Sequence, residues 1–318
     1  MIRKFLIVAM MVVIMPLYAF AGVKSGDFPA NAQWYFHADL TQLQKSEPGK
    51  IIYAFLEDEA FAEVKEDTGF DIGQSIDSLT AYANVEEGVV VVIDGRLAQE
   101  DRDKLMAIIA LQSEGSESGF APKSYKGTNY YRISEHDEKD GKDNKDNGNG
   151  SLDTLDEEAF FCFDVKDKIL LTSSAARMEQ LIADKGRIKA GKQDKGTLFV
   201  MTADRSLIQA GMQPGEFGEE MDFDSNLVQN AKQVAMLVAD KGGKLSIEAM
   251  LIATDPAMAE SLGGIARGLI GLAVLDDSME PEVAKIIRST KVDVKDATLS
   301  VTLSFEPEDF ERLVQQGI

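Results

Sequence analysis

Two short stretches of the chain resemble motifs that bind phosphate or carry a nucleophile. Residues 186–193, GRIKAGKQ, match the first seven positions of a phosphate-binding loop, but Gln193 stands where the loop needs a Ser or Thr to hold magnesium. Residues 115–119, GSESG, have the outline of a hydrolase elbow, yet Glu117 occupies the place of the nucleophilic serine. We therefore predict a linker at the first stretch, and no catalytic or cofactor-binding residue at either.

Histidine and cysteine are too scarce to support most acid–base, nucleophilic or zinc chemistry. The chain has two histidines and one cysteine, so no disulfide can form within it. His37 falls on the polar face of a predicted strand, where a structural role is the simplest interpretation. Cys162 has the apolar neighbours Phe161 and Phe163, which is typical of an inert core thiol. We predict that the protein is not an enzyme and has no cofactor.

Residues 134–158 form an acidic segment with ten carboxylates and three lysines. Read as a calcium loop that starts at Asp143, the segment has Lys145 at the third position and Thr154 at the twelfth, where oxygen ligands belong. We therefore predict no built metal site and interpret the segment as a mobile, disordered insertion between two strands. The side chains that could still attract a cation weakly are His136, Asp137, Asp140 and Asp143.

The N-terminus has the layout of a secretory signal peptide. Arg3 and Lys4 precede the apolar run FLIVAMMVVIMPLYAFA, which ends at a small-x-small site at 19–21. The run is shorter than the ~20 residues that a membrane-spanning helix needs, although an uncleaved anchor is the alternative. No cysteine follows the run, which excludes a bacterial lipoprotein anchor. We expect residues 1–21 to be a signal peptide and the mature protein to be exported to the periplasm.

The formal net charge of −21 at pH 7 limits the partners of the protein. A field of that sign repels nucleic acid and anionic membrane surfaces, so we expect neither as a partner. A basic or cationic protein partner, or an apolar small ligand, is compatible with it. No apolar stretch after the signal peptide is long enough to cross a bilayer, so we expect no transmembrane anchor after cleavage.

The tetrapeptide Asp-Val-Lys-Asp occurs at 164–167 and again at 293–296, each time between two predicted strands and before an amphipathic helix. The order of the surrounding elements also repeats. A strand ending in Asp39 or Asp204 opens each half, and a hairpin, a helix and a second hairpin follow. We interpret the chain as a duplicated unit, with one repeat at 22–190 and the other at 191–318.

Several predicted strands alternate strictly between apolar and polar residues, as in ATLSVTLSF (297–305) and KLSIEAML (244–251). Such alternation is typical of antiparallel sheets with one buried face. We therefore predict an α+β fold in which each repeat is an antiparallel sheet with helices packed on one face. The order of elements in each repeat is roughly β-α-β-β-α-β-β-α.

The stretch DPAMAESLGGIARGLIGLAVL (255–275) predicts a long helix with Asp255 as its N-cap and Pro256 in its first turn. Apolar residues recur along it at helical spacing and predict a stripe that faces the core. The residues of this stripe are Met258, Leu262, Ile265 and Leu269. Gly264 and Gly268 lie four residues apart, and we expect them to permit close packing of the helix.

The duplicated layout resembles uncharacterised exported bacterial proteins of the domain-of-unknown-function type, whose repeats also start with a strand ending in Asp-Leu and close with a hairpin and helix. This resemblance implies a fold and no activity. We expect a non-catalytic exported protein that acts as a binding or interaction module. The alternatives are a carrier of a lipid or other apolar ligand between the two repeats, and a carboxylate-based hydrolase such as a glycosidase.

Overall fold

The computed structural model describes residues 29, 31–84, 88–114, 119–134, 158–188, 194–207, 231–275 and 281–316. Within these residues the fold is mixed α+β, with twelve strands in antiparallel pairing. The chain forms two compact units. Described residues between 54 and 188 belong to the first unit, and those at 29–53 and 194–316 belong to the second.

The strands, in chain order, are β1 (Trp34–Asp39), β2 (Ile76–Asn84), β3 (Gly88–Gly95), β4 (Gly119–Tyr125), β5 (Thr128–Ser134), β6 (Glu158–Cys162), β7 (Lys168–Thr172), β8 (Thr197–Asp204), β9 (Ala231–Asp240), β10 (Leu245–Ala253), β11 (Lys291–Lys295) and β12 (Thr298–Phe305). The α-helices are α1 (Leu40–Lys45), α2 (Glu47–Leu56), α3 (Ala62–Thr68), α4 (Ile72–Ser75), α5 (Gln99–Glu114), α6 (Ala175–Ala183), α7 (Pro256–Ala273), α8 (Pro281–Ser289) and α9 (Pro307–Gln316). A π-helical turn, Glu57–Phe61, joins α2 to α3.

The strands of the first unit lie in the order β2-β3-β7-β6-β5-β4. Strand β3 is covered on both faces, because every residue from Val89 to Ile93 is buried. A continuous run of β-branched residues has no polar face, so it suits a fully buried strand. The expected pattern of one buried and one polar face therefore does not extend to β3.

The strands of the second unit lie in the order β11-β12-β10-β9-β8-β1. Strand β1 pairs with β8, and Tyr35 is buried beside Thr202. Tyr35 shares a face with His37 because strand residues two apart point the same way, so the polar face predicted there is wrong at Tyr35. The opposite face of β1 carries Phe36, which is also buried, so both faces of this strand are covered.

The predicted hairpins at the two Asp-Val-Lys-Asp sites are confirmed. Strand β6 pairs with β7, and β11 pairs with β12. The last aspartate of each tetrapeptide adopts a left-handed backbone conformation, with φ of 57° at Asp167 and 52° at Asp296. Aspartate tolerates this conformation better than most residues because its short side chain bonds locally.

The aspartates that end β1 and β8 accept hydrogen bonds from the backbone that follows them. The Asp39 carboxylate accepts a hydrogen bond from the backbone N–H of Gln42 at 2.8 Å, as an N-cap does. Asp204 accepts in the same way from the N–H of Leu207 at 3.1 Å. The break between α1 and α2 lies at Ser46, whose hydroxyl accepts from the Gly49 N–H at 3.0 Å, and Pro48 fits the first turn of α2.

Candidate functional site: the exposed apolar face of α7

Four of the five large apolar side chains that are exposed in the described residues lie on α7 or directly after it. Their exposed fractions rise along the chain, from 59 % for Ile265 and 61 % for Leu269 to 68 % for Leu272 and 75 % for Leu275. We call these four residues the α7 apolar face. Single exposed leucines are ordinary on protein surfaces, but a contiguous group is typical of an interaction site.

The N-terminal half of α7 is anchored to the sheet of the second unit. The Asp255 carboxylate accepts a hydrogen bond from the Met258 N–H at 2.9 Å, and Pro256 occupies the first turn. Ala259 and Leu262 are buried in a cluster with residues of β9 and β10, against which side chains of β11 and β12 also pack. The buried half therefore fixes the position and direction of the whole helix.

The C-terminal half of α7 is exposed although it continues the same helical stripe. Leu269 lies two turns after Leu262 and differs from it in direction by only about 20°. Leu262 is nevertheless 8 % exposed and Leu269 is 61 % exposed. The predicted core-facing stripe is thus confirmed at its start and wrong at Ile265 and Leu269, since helical spacing does not reveal where the covering sheet ends.

The glycines of α7 differ in whether another side chain packs against them. A Cβ atom on Gly263 would lie 2.5 Å from Cγ2 of Val294, so this glycine lets the helix approach β11 closely. Among the described residues, no heavy atom apart from the backbone of the helix itself lies within 4 Å of the Cβ positions of Gly264, Gly268 and Gly271. The prediction that Gly264 and Gly268 serve close packing is therefore wrong within the unit, where Gly263 has that role.

The exposed half of α7 carries almost no charge. Between residues 261 and 275 the sequence contains one charged side chain, Arg267. Its guanidinium lies 3.8 Å from the carboxylate of Glu260 and 3.5 Å from the carbonyl oxygen of Val292, to which it donates. The arginine thus turns back toward its own helix and β11, and the α7 apolar face remains uncharged.

The sequence-predicted histidine and cysteine positions are not part of this face. His37 is partly buried in β1, opposite Val200 of β8. Cys162 is fully buried in β6, and its thiol donates a hydrogen bond to the carbonyl oxygen of Asn129 at 3.3 Å. Burial raises the pKa of the Cys162 thiol, which favours its protonated form, and the predicted position in the core is confirmed.

The weak cation candidates lie outside the described residues. These are His136, Asp137, Asp140 and Asp143. The same is true of the predicted signal peptide, of Glu117 and of Gln193. Among the residues that the structure describes, no three His, Cys, Asp or Glu side chains group together as a metal site requires. The segment 135–157 does connect two paired strands, because β5 ends at Ser134 and β6 begins at Glu158.

Buried ionisable groups form local structural contacts. The Tyr130 hydroxyl donates to the Glu179 carboxylate at 3.2 Å, and burial raises the pKa of Tyr130. Asp309 of α9 is 7 % exposed and accepts a hydrogen bond from Lys285 of α8 at 2.6 Å. That hydrogen bond raises the pKa of Lys285, and the contact ties the two helices together.

No helix within the described ranges is both long enough and apolar enough to cross a membrane.

Comparison with known proteins yields structural likeness alone. No protein-family model and no curated protein matches the chain. The structure of TP0453 in crystal form III is similar with a TM-score of 0.44 at 10 % identity, over 93 % of this chain and 99 % of that one. Crystal form IV gives 0.42 at 11 % identity and form I gives 0.41 at 10 %, each over 92 % of this chain and 97 % of that one. At these scores the likeness supports no inference about fold or function.

Proposed function

We propose that the protein is a non-catalytic exported binding module that contacts another protein chain through the α7 apolar face. The observation that carries this proposal is the exposure of Ile265, Leu269, Leu272 and Leu275 on one rigidly anchored helix. Exposing such a group to water costs free energy, roughly 1.5–3 kcal/mol for each fully exposed side chain. A partner that covers the face recovers part of this cost.

A protein partner fits the face better than a membrane surface does. Helices that lie in a membrane interface usually carry many lysines or arginines on their polar side. Helix α7 has the single arginine Arg267, and the whole chain has a net charge of −21. The charge opposes approach to anionic lipid, whereas an apolar protein surface can meet the α7 apolar face without desolvating a charge.

Export is the setting that we propose for this module, on the evidence of the N-terminal sequence. Residues 1–21 have the charged, apolar and small-residue regions of a cleavable signal peptide. The periplasm is the corresponding compartment. N-terminal sequencing of the protein from the cell envelope would find Gly22 or a close neighbour at the start of the chain, and an intact Met1 there would contradict cleavage.

We also propose that the framework holding the face arose by duplication. The order β2-β3-β7-β6 in the first unit corresponds to β9-β10-β12-β11 in the second. In the first unit α5 follows β2 and β3 along the chain, and α6 follows β6 and β7. In the second unit α7 follows β9 and β10, and α9 follows β11 and β12. The left-handed aspartates Asp167 and Asp296 stand just before the third strand of each spatial series and support the same correspondence.

In-cell photo-crosslinking would test the binding function. A photoreactive residue replaces Leu272 on the face and, as a matched control, Glu311, which is exposed on α9. We expect a discrete protein adduct at position 272 and none at position 311. Equal labelling at both positions, or no adduct at 272, would overturn the proposal.

Two further measurements address the alternatives. Native mass spectrometry of the protein from its own compartment would reveal a retained lipid if the protein is a carrier. A panel of hydrolase substrates would reveal turnover if it is an enzyme. Steady hydrolysis that is lost after one carboxylate-to-amide substitution would replace the non-catalytic proposal.

A further inference from the structure

We propose that the partner of the α7 apolar face is a second copy of this chain, and that the two α7 helices pack antiparallel about a twofold axis at Gly268. This inference rests on the proposed binding function and names its partner. In a twofold contact, residue i of one copy meets residue j of the other, and j meets i. A surface can form such a contact only if it is complementary to itself.

The sequence of α7 has this self-complementarity in side-chain size. In an antiparallel pair centred on Gly268, residues equidistant from it on either side lie opposite each other. On the face centred on Gly268, which residues three and four positions away share with it, each pair joins one small and one large side chain. These pairs are Gly264–Leu272 and Ile265–Gly271. Arg267 and Leu269 flank this face and do not follow the pattern. The bulky side chains Ile265 and Leu272 therefore lie opposite glycines of the other helix, as interdigitating helix contacts require.

The geometry of the monomer leaves room for this contact. The Cβ positions of Gly264, Gly268 and Gly271 have open space around them, while Ile265 and Leu272 project beside them. A helix surface with a flat glycine row beside an aliphatic row allows two backbones to approach closely. The same half of the helix is held by its buried N-terminal turns, so little conformational entropy is lost on pairing.

The charges of the helix do not oppose pairing, although the charge of the whole chain does. Arg267 is held by Glu260 and by the Val292 carbonyl, so the contact buries no unpaired charge. One helix face is smaller than the roughly 800 Å² per partner of a standard interface, which predicts a weak dimer. Two chains of net charge −21 repel each other, and salt screens this repulsion. The dimer should accordingly strengthen as salt is added.

Cysteine cross-linking tests the pairing and its register. The native Cys162 is buried, so an introduced thiol on α7 is the accessible one. Under mild oxidation, Gly268→Cys should give a covalent dimer by itself. Gly264→Cys and Leu272→Cys should cross-link when mixed and far less when alone, since a disulfide needs Cα atoms within about 7 Å. Self-cross-linking of Gly264→Cys as efficient as that of the mixture would overturn the antiparallel register.

Sedimentation velocity supplies an independent test. The sample is the protein purified from the cells that produce it. Gly268→Leu meets open space in the monomer but places a leucine against its own copy at the axis. We expect it to weaken dimerisation at least tenfold, while Glu311→Leu, which adds the same side chain on α9, leaves dimerisation unchanged. Unfolding curves like that of the wild type verify that both variants fold.

The outcomes separate this inference from the proposed function. A photo-adduct at position 272 with twice the mass of the chain, together with the cysteine pattern, supports the dimer. An adduct with a different protein and no dimer in sedimentation overturns the inference and leaves the binding function in place. No adduct and no dimer overturn both.

Discussion

Phe36 of β1 lies directly opposite Met201 of β8, at the centre of an antiparallel strand pair. The two residues are counterparts in their strands, because each stands three positions before the aspartate that ends its strand, Asp39 or Asp204. The flanking pairs, two residues away on either side, are Trp34–Ala203 and Ala38–Phe199. Exchanging the two strands reproduces the same set of pairs, which is the property of a twofold contact. The two strands that open the proposed repeats therefore meet as identical strands of a symmetric dimer would.

A swap across this pair should conserve stability better than either single change. Phe36→Met removes ring contacts next to Phe199, whose ring centroid is 6.4 Å from that of Phe36, and should cost about 1 kcal/mol of unfolding free energy. Met201→Phe places two large rings face to face and should cost a similar amount. The double variant again places one aromatic ring opposite one thioether, so it should lose less stability than the two single changes added together. Urea unfolding of all four proteins measures the coupling, and strictly additive changes would show that the two side chains do not interact.

Glycine at the two hairpin aspartates should stabilise the protein equally. Asp167 and Asp296 both have positive φ, a conformation that glycine adopts without a Cβ penalty. We expect Asp167→Gly and Asp296→Gly each to raise the unfolding free energy by up to about 1 kcal/mol, offset in part by greater freedom of the unfolded chain. Chemical denaturation checks this. Opposite signs at the two sites would argue against equivalent turns.

Truncating one leucine in each half of α7 should change the unfolding free energy by different amounts, because one half is buried and the other is exposed. Leu262→Ala leaves a cavity in the cluster with Leu251 and Ala253 and should cost about 2–4 kcal/mol. Leu269→Ala removes an exposed side chain and should change the monomer by less than about 1 kcal/mol. Unfolding is followed at protein concentrations low enough to exclude association. Equal losses would mean that the C-terminal half of α7 is covered.

The ion pair of Lys65 and Asp71 should make stability depend on pH in the acid range. Their nitrogen and oxygen lie 2.7 Å apart, and the hydrogen bond from Lys65 lowers the pKa of Asp71. A lowered carboxyl pKa stabilises the fold above the unfolded value of about 4, and this contribution disappears as the pH falls through the folded value.

Asp71→Asn keeps the N-cap of α4, because asparagine caps as well as aspartate does, and removes only the charge. The free-energy difference between the wild type and this variant should be small, as for other surface ion pairs, and should vanish below the lowered pKa. Measuring it by urea unfolding at several pH values checks the sign. A Lys65→Met background should reduce it to the smaller part that comes from the backbone N–H groups of Gln74 and Gly73, and an undiminished difference there would assign the effect to another group.

Shortening the acidic segment should leave the fold intact. Its polar composition and its position between the paired strands β5 and β6 predict little contribution to stability. Replacing residues 139–153 with a short Gly-Ser linker should shift the melting temperature by no more than about two degrees. A larger loss, measured by thermal unfolding, would indicate that the segment packs on the core or binds an ion.

The local structure of the protein followed from the sequence. Asp255 caps α7 as predicted, because an N-cap bond spans only three residues. The hairpin turns at Gly242-Gly243 and at the two Asp-Val-Lys-Asp sites were equally predictable from short-range turn preferences. The mixed α+β class followed from the same local patterns.

The exposure of the α7 apolar face was decided by tertiary structure. The helical spacing of Leu262 and Leu269 is the same whether a sheet lies beneath both or only beneath the first, so the sequence could not distinguish a buried stripe from an exposed one. The burial of Leu262 depends on side chains of β9 and β10, such as Ala231 and Leu251, which lie far from it in the chain. For the same reason, Gly263 rather than Gly264 or Gly268 makes the close approach to β11. The periodicity of a helix fixes which residues share a face, and only the packing around it decides which part of that face meets water.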